Sequence, residues 1–121
     1  MACTTVFIIS DDFAIRGSVA ELVAAAGLRA ETFASVGSWL DAVPPERRGP
    51  LVLDARVRDF TGSERLADFT SVYAKRPVLV LIDRGDVPMA VRAMRDGAVA
   101  VVEKPYRDEN LLERIKRAAA A

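Results

Sequence analysis

Five short, mostly apolar runs alternate with stretches whose apolar residues recur every three to four positions. This alternation constrains the fold more than any other feature of the chain. TVFIIS (5–10) is apolar and β-branched, as a buried strand requires. Ile15, Val19, Leu22, Val23 and Ala26 then fall at helical spacing, and Gly27 ends that helix. RAETF (29–33) reads as a second, less apolar strand, and Val36, Trp39, Leu40 and Val43 mark one face of a short helix stopped by Pro44-Pro45. PLVLD (50–54) is a third strand, followed by a polar stretch to Gly62 and a helix carrying Leu66, Phe69 and Tyr73. PVLVLI (77–82) is a fourth strand. Asp86 is positioned to cap the helix after it, with Pro88 in the first turn. AVAVV (98–102) is a fifth strand, and a last helix carries Leu111, Leu112 and Ile115.

Strand and helix thus repeat five times. Continuous apolar strands between amphipathic helices predict a parallel sheet covered on both faces. Right-handed crossovers favour the doubly wound, flavodoxin-like α/β order 2-1-3-4-5 in one domain over 1–121. At 121 residues and 51% hydrophobic content the chain can bury a full core.

Composition narrows the chemistry. Lys and Arg number 17 and Asp and Glu number 17, so no net charge points to nucleic acid or a membrane surface. No stretch reaches the roughly 20 apolar residues that span a bilayer, and Met1 is not followed by a secretory pattern. Cys3 is the only cysteine, which fits a cytoplasmic protein. The chain has no histidine, which excludes Ser-His-Asp and Cys-His catalysis and His-ligated zinc.

The carboxylates sit where such a sheet binds ligands, outside the carboxyl ends of its strands. The first strand runs into Asp11 and Asp12, the third ends at Asp54, and the fifth leads to Lys104. Packing gives no reason for adjacent charges at the end of a buried strand. Clustered carboxylates repel one another unless a cation lies among them, and hard oxygen ligands suit Mg²⁺. Metal ligation is therefore the reading for Asp11. Asp12 is read first as a helix N-cap and secondarily as a metal ligand. Mg²⁺ beside a lysine also describes a site that holds a phosphoryl group.

These acids in this order, with Lys104-Pro105, the loop Asp54…Asp59…Thr61-Gly62 and the stretch GDVPMAVRAMRDGAVAVVEKP (85–105), resemble the receiver domain of two-component response regulators, and its FixJ-like branch in particular. The resemblance spans almost the whole chain. It implies that Asp54 accepts a phosphoryl group from a sensor histidine kinase. It implies Mg²⁺ ligation by Asp11, Asp54 and the backbone carbonyl of Arg56. Lys104 would pair with the phosphoryl oxygens, and the bond to Pro105 would be cis. The fourth helix, fifth strand and fifth helix, from Val87 to about Arg117, would form the signalling face and a homodimer contact. The domain would be a switch for transcription control rather than a metabolic enzyme. DNA would be reached only through an output domain, which is not visible in 1–121.

Four positions depart from the family pattern. Ser10 stands where the first acid of the pair belongs. Ile82 replaces a hydroxyl residue that bonds the phosphoryl group, a bond to charge worth about 1.5–3 kcal/mol. Val101 replaces the aromatic switch residue, and Arg58 replaces proline. Asp83, next to Ile82, adds negative charge near an anion site. Ser10, Ile82 and Val101 support an alternative, a degenerate receiver acting as a phosphorylation-independent interaction or dimerisation module. A Mg²⁺-dependent phosphatase would want a second acid beside Asp54, which Arg56 does not supply.

Overall fold

The computed structural model describes residues 4–60 and 76–120. Five parallel strands form one sheet: β1 (Thr5–Ile9), β2 (Arg29–Phe33), β3 (Leu51–Asp54), β4 (Val78–Ile82) and β5 (Ala100–Glu103). Their order is β2-β1-β3-β4-β5. Among the described residues the helices are α1 (Phe13–Ala25), α2 (Val36–Ala42), α3 (Val87–Arg95) and α4 (Asp108–Ala120). The helix expected through Leu66, Phe69 and Tyr73 lies outside the described residues, as do Cys3 and Thr61-Gly62. The fourth and fifth helices of the sequence reading are α3 and α4.

Every residue of the central strands β1, β3 and β4 is buried, because helices cover both faces of the sheet. Alternate strand residues supply two cores. Phe7, Ile9, Leu51, Leu53, Val78 and Val80 pack with Val36 and Trp39 of α2 and Ala93 of α3. Val6, Ile8, Val52, Leu79 and Leu81 pack with Val19 and Val23 of α1 and Leu111 and Ile115 of α4.

The caps fix where each helix starts. Asp12 Oδ1 accepts from the amides of Ala14 at 2.9 Å and Ile15 at 3.2 Å, satisfying two orphan donors of α1. Asp86 does the same for α3 through Met89 N at 3.1 Å.

Two expectations need correction. Leu40 does not share the packing face of α2 but is 40% exposed. It lies one position on from Trp39, on the flank of a seven-residue helix that packs through Val36 and Trp39. The fifth strand begins at Ala100, not at residue 98, and Val99 is exposed. The amides of Gly97 and Ala98 are used to close α3, donating to Met94 O and Ala93 O, so the ladder starts only where Val99 N reaches Val78 O.

At the end of the sheet away from the acids, buried Arg76 holds the chain before β3. It donates through NH1 to Gly49 O and through NH2 to Arg47 O, each at 2.6 Å. Its guanidinium lies 5.0 Å from the Phe7 ring centroid and 5.2 Å from that of Trp39. Gly49 has φ 140°, and a Cβ there would overlap the Thr5 carbonyl.

Candidate functional site

The parallel register brings the carboxyl ends of β1, β3 and β5 to one edge of the sheet. Asp54, the last residue of β3, is 1% exposed, and both its oxygens are engaged. Oδ1 accepts from Lys104 Nζ at 2.8 Å and from Arg56 N at 3.1 Å. Oδ2 accepts from Ser10 Oγ at 2.8 Å. A buried charge needs such donors to persist, and here it has three.

Each donor is positioned by the fold. The Ser10 amide donates to Phe33 O, its Oγ accepts from Asp12 N at 3.1 Å, and its carbonyl accepts from Arg16 NH1 at 2.7 Å. The Lys104 amide donates to Ile82 O at 2.8 Å, carrying the β4–β5 pairing one residue past Glu103. The Lys104–Pro105 peptide bond is cis. The loop after Asp54 is tied down by Asp59, whose carboxylate accepts from Val36 N at 3.0 Å and Gly37 N at 2.9 Å.

The other expected residues are distributed around this centre. Asp11 is exposed beside Ser10, and Asp12 is exposed and caps α1. Among the described residues no three His, Cys, Asp or Glu side chains gather as a metal cluster. At the end of β1 it is Ser10 that meets Asp54, while Asp12 turns to the amides of α1. Arg58 is exposed in the loop. Ile82 is buried in the core beside α2 and α3, and half-buried Val101 packs against the same core. Asp83 lies close to Lys104, as its neighbour Ile82 suggested: its Oδ1 is 3.8 Å from Lys104 Nζ, and its Oδ2 accepts from Arg56 NH1 at 3.1 Å.

Tyr106 was not singled out in the sequence. It is half-buried against the core beside α1 and α4. Burial pushes its phenol above the ordinary value, a hydrogen bond with Ser18 works against this, and the charges of Asp108, Asp54 and Asp12 add to the rise. Its place two residues after Lys104 is the signal that could have found it. Glu103 also escaped notice: its Oε2 accepts from Gly85 N at 2.7 Å, joining the end of β5 to the turn before α3.

A doubly wound sheet with a buried aspartate and a lysine paired at its carboxyl edge defines a narrow class of protein. Residues 6–116 match the response regulator receiver domain, and the chain belongs to that family. It is 37% identical over 115 residues to the transcriptional regulatory protein FixJ of Rhizobium meliloti (strain 1021), across 95% of this chain and 56% of that protein. It is 33% identical over 115 residues to the response regulator protein TodT of Pseudomonas putida, across 95% of this chain and 51% of that one. The chain spans about half the length of these relatives. The crystal structure of FixJ-N shares its fold with a TM-score of 0.87 at 37% identity, over 99% of this chain and 96% of that one. Full-length FixJ from B. japonicum gives 0.87 at 35% identity, over 98% of this chain and 58% of that one.

Proposed function

We propose that Asp54 is the phosphoacceptor of a two-component receiver spanning 1–121, charged by a sensor histidine kinase. The observation that carries this reading is the 2.8 Å contact of Lys104 Nζ with Asp54 Oδ1 at the carboxyl edge of the sheet. An Asp54 carboxylate oxygen attacks the phosphorus of a phosphohistidine. The new P–O bond forms as the P–N bond breaks, and the imidazole nitrogen leaves with the electron pair. Lys104 then pairs with the phosphoryl oxygens.

Asp11, Asp54 and the Arg56 carbonyl are hard oxygen donors that suit Mg²⁺, with Asp12 as a secondary ligand and water filling the remaining positions. Bound there, Mg²⁺ would neutralise phosphoryl charge. Ser10 supplies no carboxylate, so binding is expected to be weak.

The signalling face is α3, β5 and α4. Val87, Val91 and Met94 are exposed at i, i+4 and i+7 on α3, and Val99, just before β5, is exposed too. We assign this stripe to a homodimer contact. By analogy with FixJ the output is transcription control, with DNA reached through a separate output domain. The domain is a cytoplasmic signalling switch that assists its own phosphoryl transfer. No helix among the described residues is long and apolar enough to cross a membrane.

A second reading rests on Ile82 and Val101, which pack as core residues and offer no hydroxyl. It is an interaction module that ignores phosphate. Incubation with acetyl phosphate and Mg²⁺ separates the two. An acyl phosphate that hydroxylamine cleaves supports the phosphoacceptor, and its absence in folded protein supports the module.

A further inference from the structure

Asp83 follows Ile82 directly, and its carboxylate faces Lys104, the cation paired with Asp54, and the guanidinium of Arg56. Lys104 Nζ stands between two carboxylates, 2.8 Å from Asp54 Oδ1 and 3.8 Å from Asp83 Oδ1. The other Asp83 oxygen holds Arg56 NH1 at 3.1 Å. The turn that carries Asp83 leads straight into α3. Asp83 O accepts from Asp86 N at 3.1 Å, Gly85 N donates to Glu103 Oε2 at 2.7 Å, and Asp86 caps α3. Charge at Asp83 is therefore wired to the helix that presents Val87, Val91 and Met94.

We propose that Asp83 is a positioning residue that couples Asp54 to α3 by exchange of ion-pair partners. The inference rests on the phosphoacceptor reading. An acyl phosphate at Asp54 carries close to two negative charges where the carboxylate carried one, next to Lys104, which Asp83 already shares, with Arg56 on the other oxygen of Asp83. It out-competes a single carboxylate for both cations, and it repels the carboxylate it displaces. The pair it must break is easily broken, since the Arg56 and Asp83 side chains are 69% and 42% exposed. Displaced Asp83 shifts the turn over 83–86 and with it the start of α3. Ile82 is buried in the core and has no hydroxyl to report on the phosphoryl group. The adjacent carboxylate does this by charge instead.

Beryllofluoride with Mg²⁺, a non-covalent phosphoryl mimic, tests the idea on the full chain. Its affinity is read from the amide resonances of Gly85, Val87 and Val91, at low and high salt. Asp83→Asn removes the competitor, so affinity is expected to rise about tenfold at low salt and less at high salt. The same substitution should shrink the response of Val87 and Val91, because no charge is left to be displaced. Arg56→Gln, which takes away a cation, should weaken binding. Equal or weaker affinity in Asp83→Asn, or an unchanged α3 response, overturns the coupling while leaving the phosphoacceptor reading intact. No binding by wild type and by Asp83→Asn overturns both.

Discussion

Ser10 Oγ donates to Asp54 Oδ2 across 2.8 Å, between two residues that are almost wholly buried. They lie 44 positions apart in sequence and meet because β1 and β3 are neighbours. The hydroxyl satisfies a carboxylate that a second acid at this position would repel. Together with Lys104 Nζ and Arg56 N it gives the buried Asp54 carboxylate three donors.

Ser10→Asp should replace a donor to Asp54 with a second carboxylate and raise metal affinity at a cost in stability. Two carboxylates about 4 Å apart repel by roughly 4 kcal/mol at an effective dielectric near 20. The variant should melt lower than wild type without Mg²⁺ and recover when Mg²⁺ is added. Its Mg²⁺ affinity should rise at least about tenfold by calorimetry. Equal affinity in the two proteins would remove Ser10 from the metal account.

Arg76 should matter to stability and not to phosphoryl chemistry. Its two carbonyl contacts and its stacking on Phe7 and Trp39 lie at the opposite end of the sheet from Asp54. Arg76→Ala is expected to cost about 2–4 kcal/mol in urea unfolding, since two part-buried carbonyls lose a charged donor and the buried side chain leaves its place against Phe7 and Trp39. Phosphorylation measured below the unfolding transition should be unchanged.

Tyr106 reports on the charge of the site. Its raised folded pKa means that the native state favours the neutral phenol, with burial as the main cause. That contribution to stability is complete below the unfolded value near 10 and is lost as pH rises through the folded value. Ultraviolet titration of native protein against Tyr106→Phe should place its ionisation above the ordinary range. Asp54→Asn should lower it by removing a nearby negative charge, and Ser18→Ala should raise it by removing the opposing hydrogen bond.

Much of this was legible in the chain. β1, β3 and β4 are continuous apolar runs because both their faces are covered, and their order placed Asp54 and Lys104 at one edge. Local periodicity could not reveal how backbone amides are shared. The amides of Gly97 and Ala98 close α3, so β5 starts later than its apolar residues suggest. Nor could it reveal partners distant in sequence. Arg56 and Asp83 are 27 positions apart, and only the β3–β4 pairing brings them together. Arg76 reads as an ordinary loop cation until the fold sets it against two aromatic rings. Tyr106 reads as an ordinary aromatic until the fold sets it near Asp54.

The most direct test is intact mass after incubation with acetyl phosphate and Mg²⁺, with Asp54→Ala alongside. A single phosphoryl adduct is expected on wild type and none on the variant. An adduct that persists in Asp54→Ala, or none on folded wild type, would contradict it.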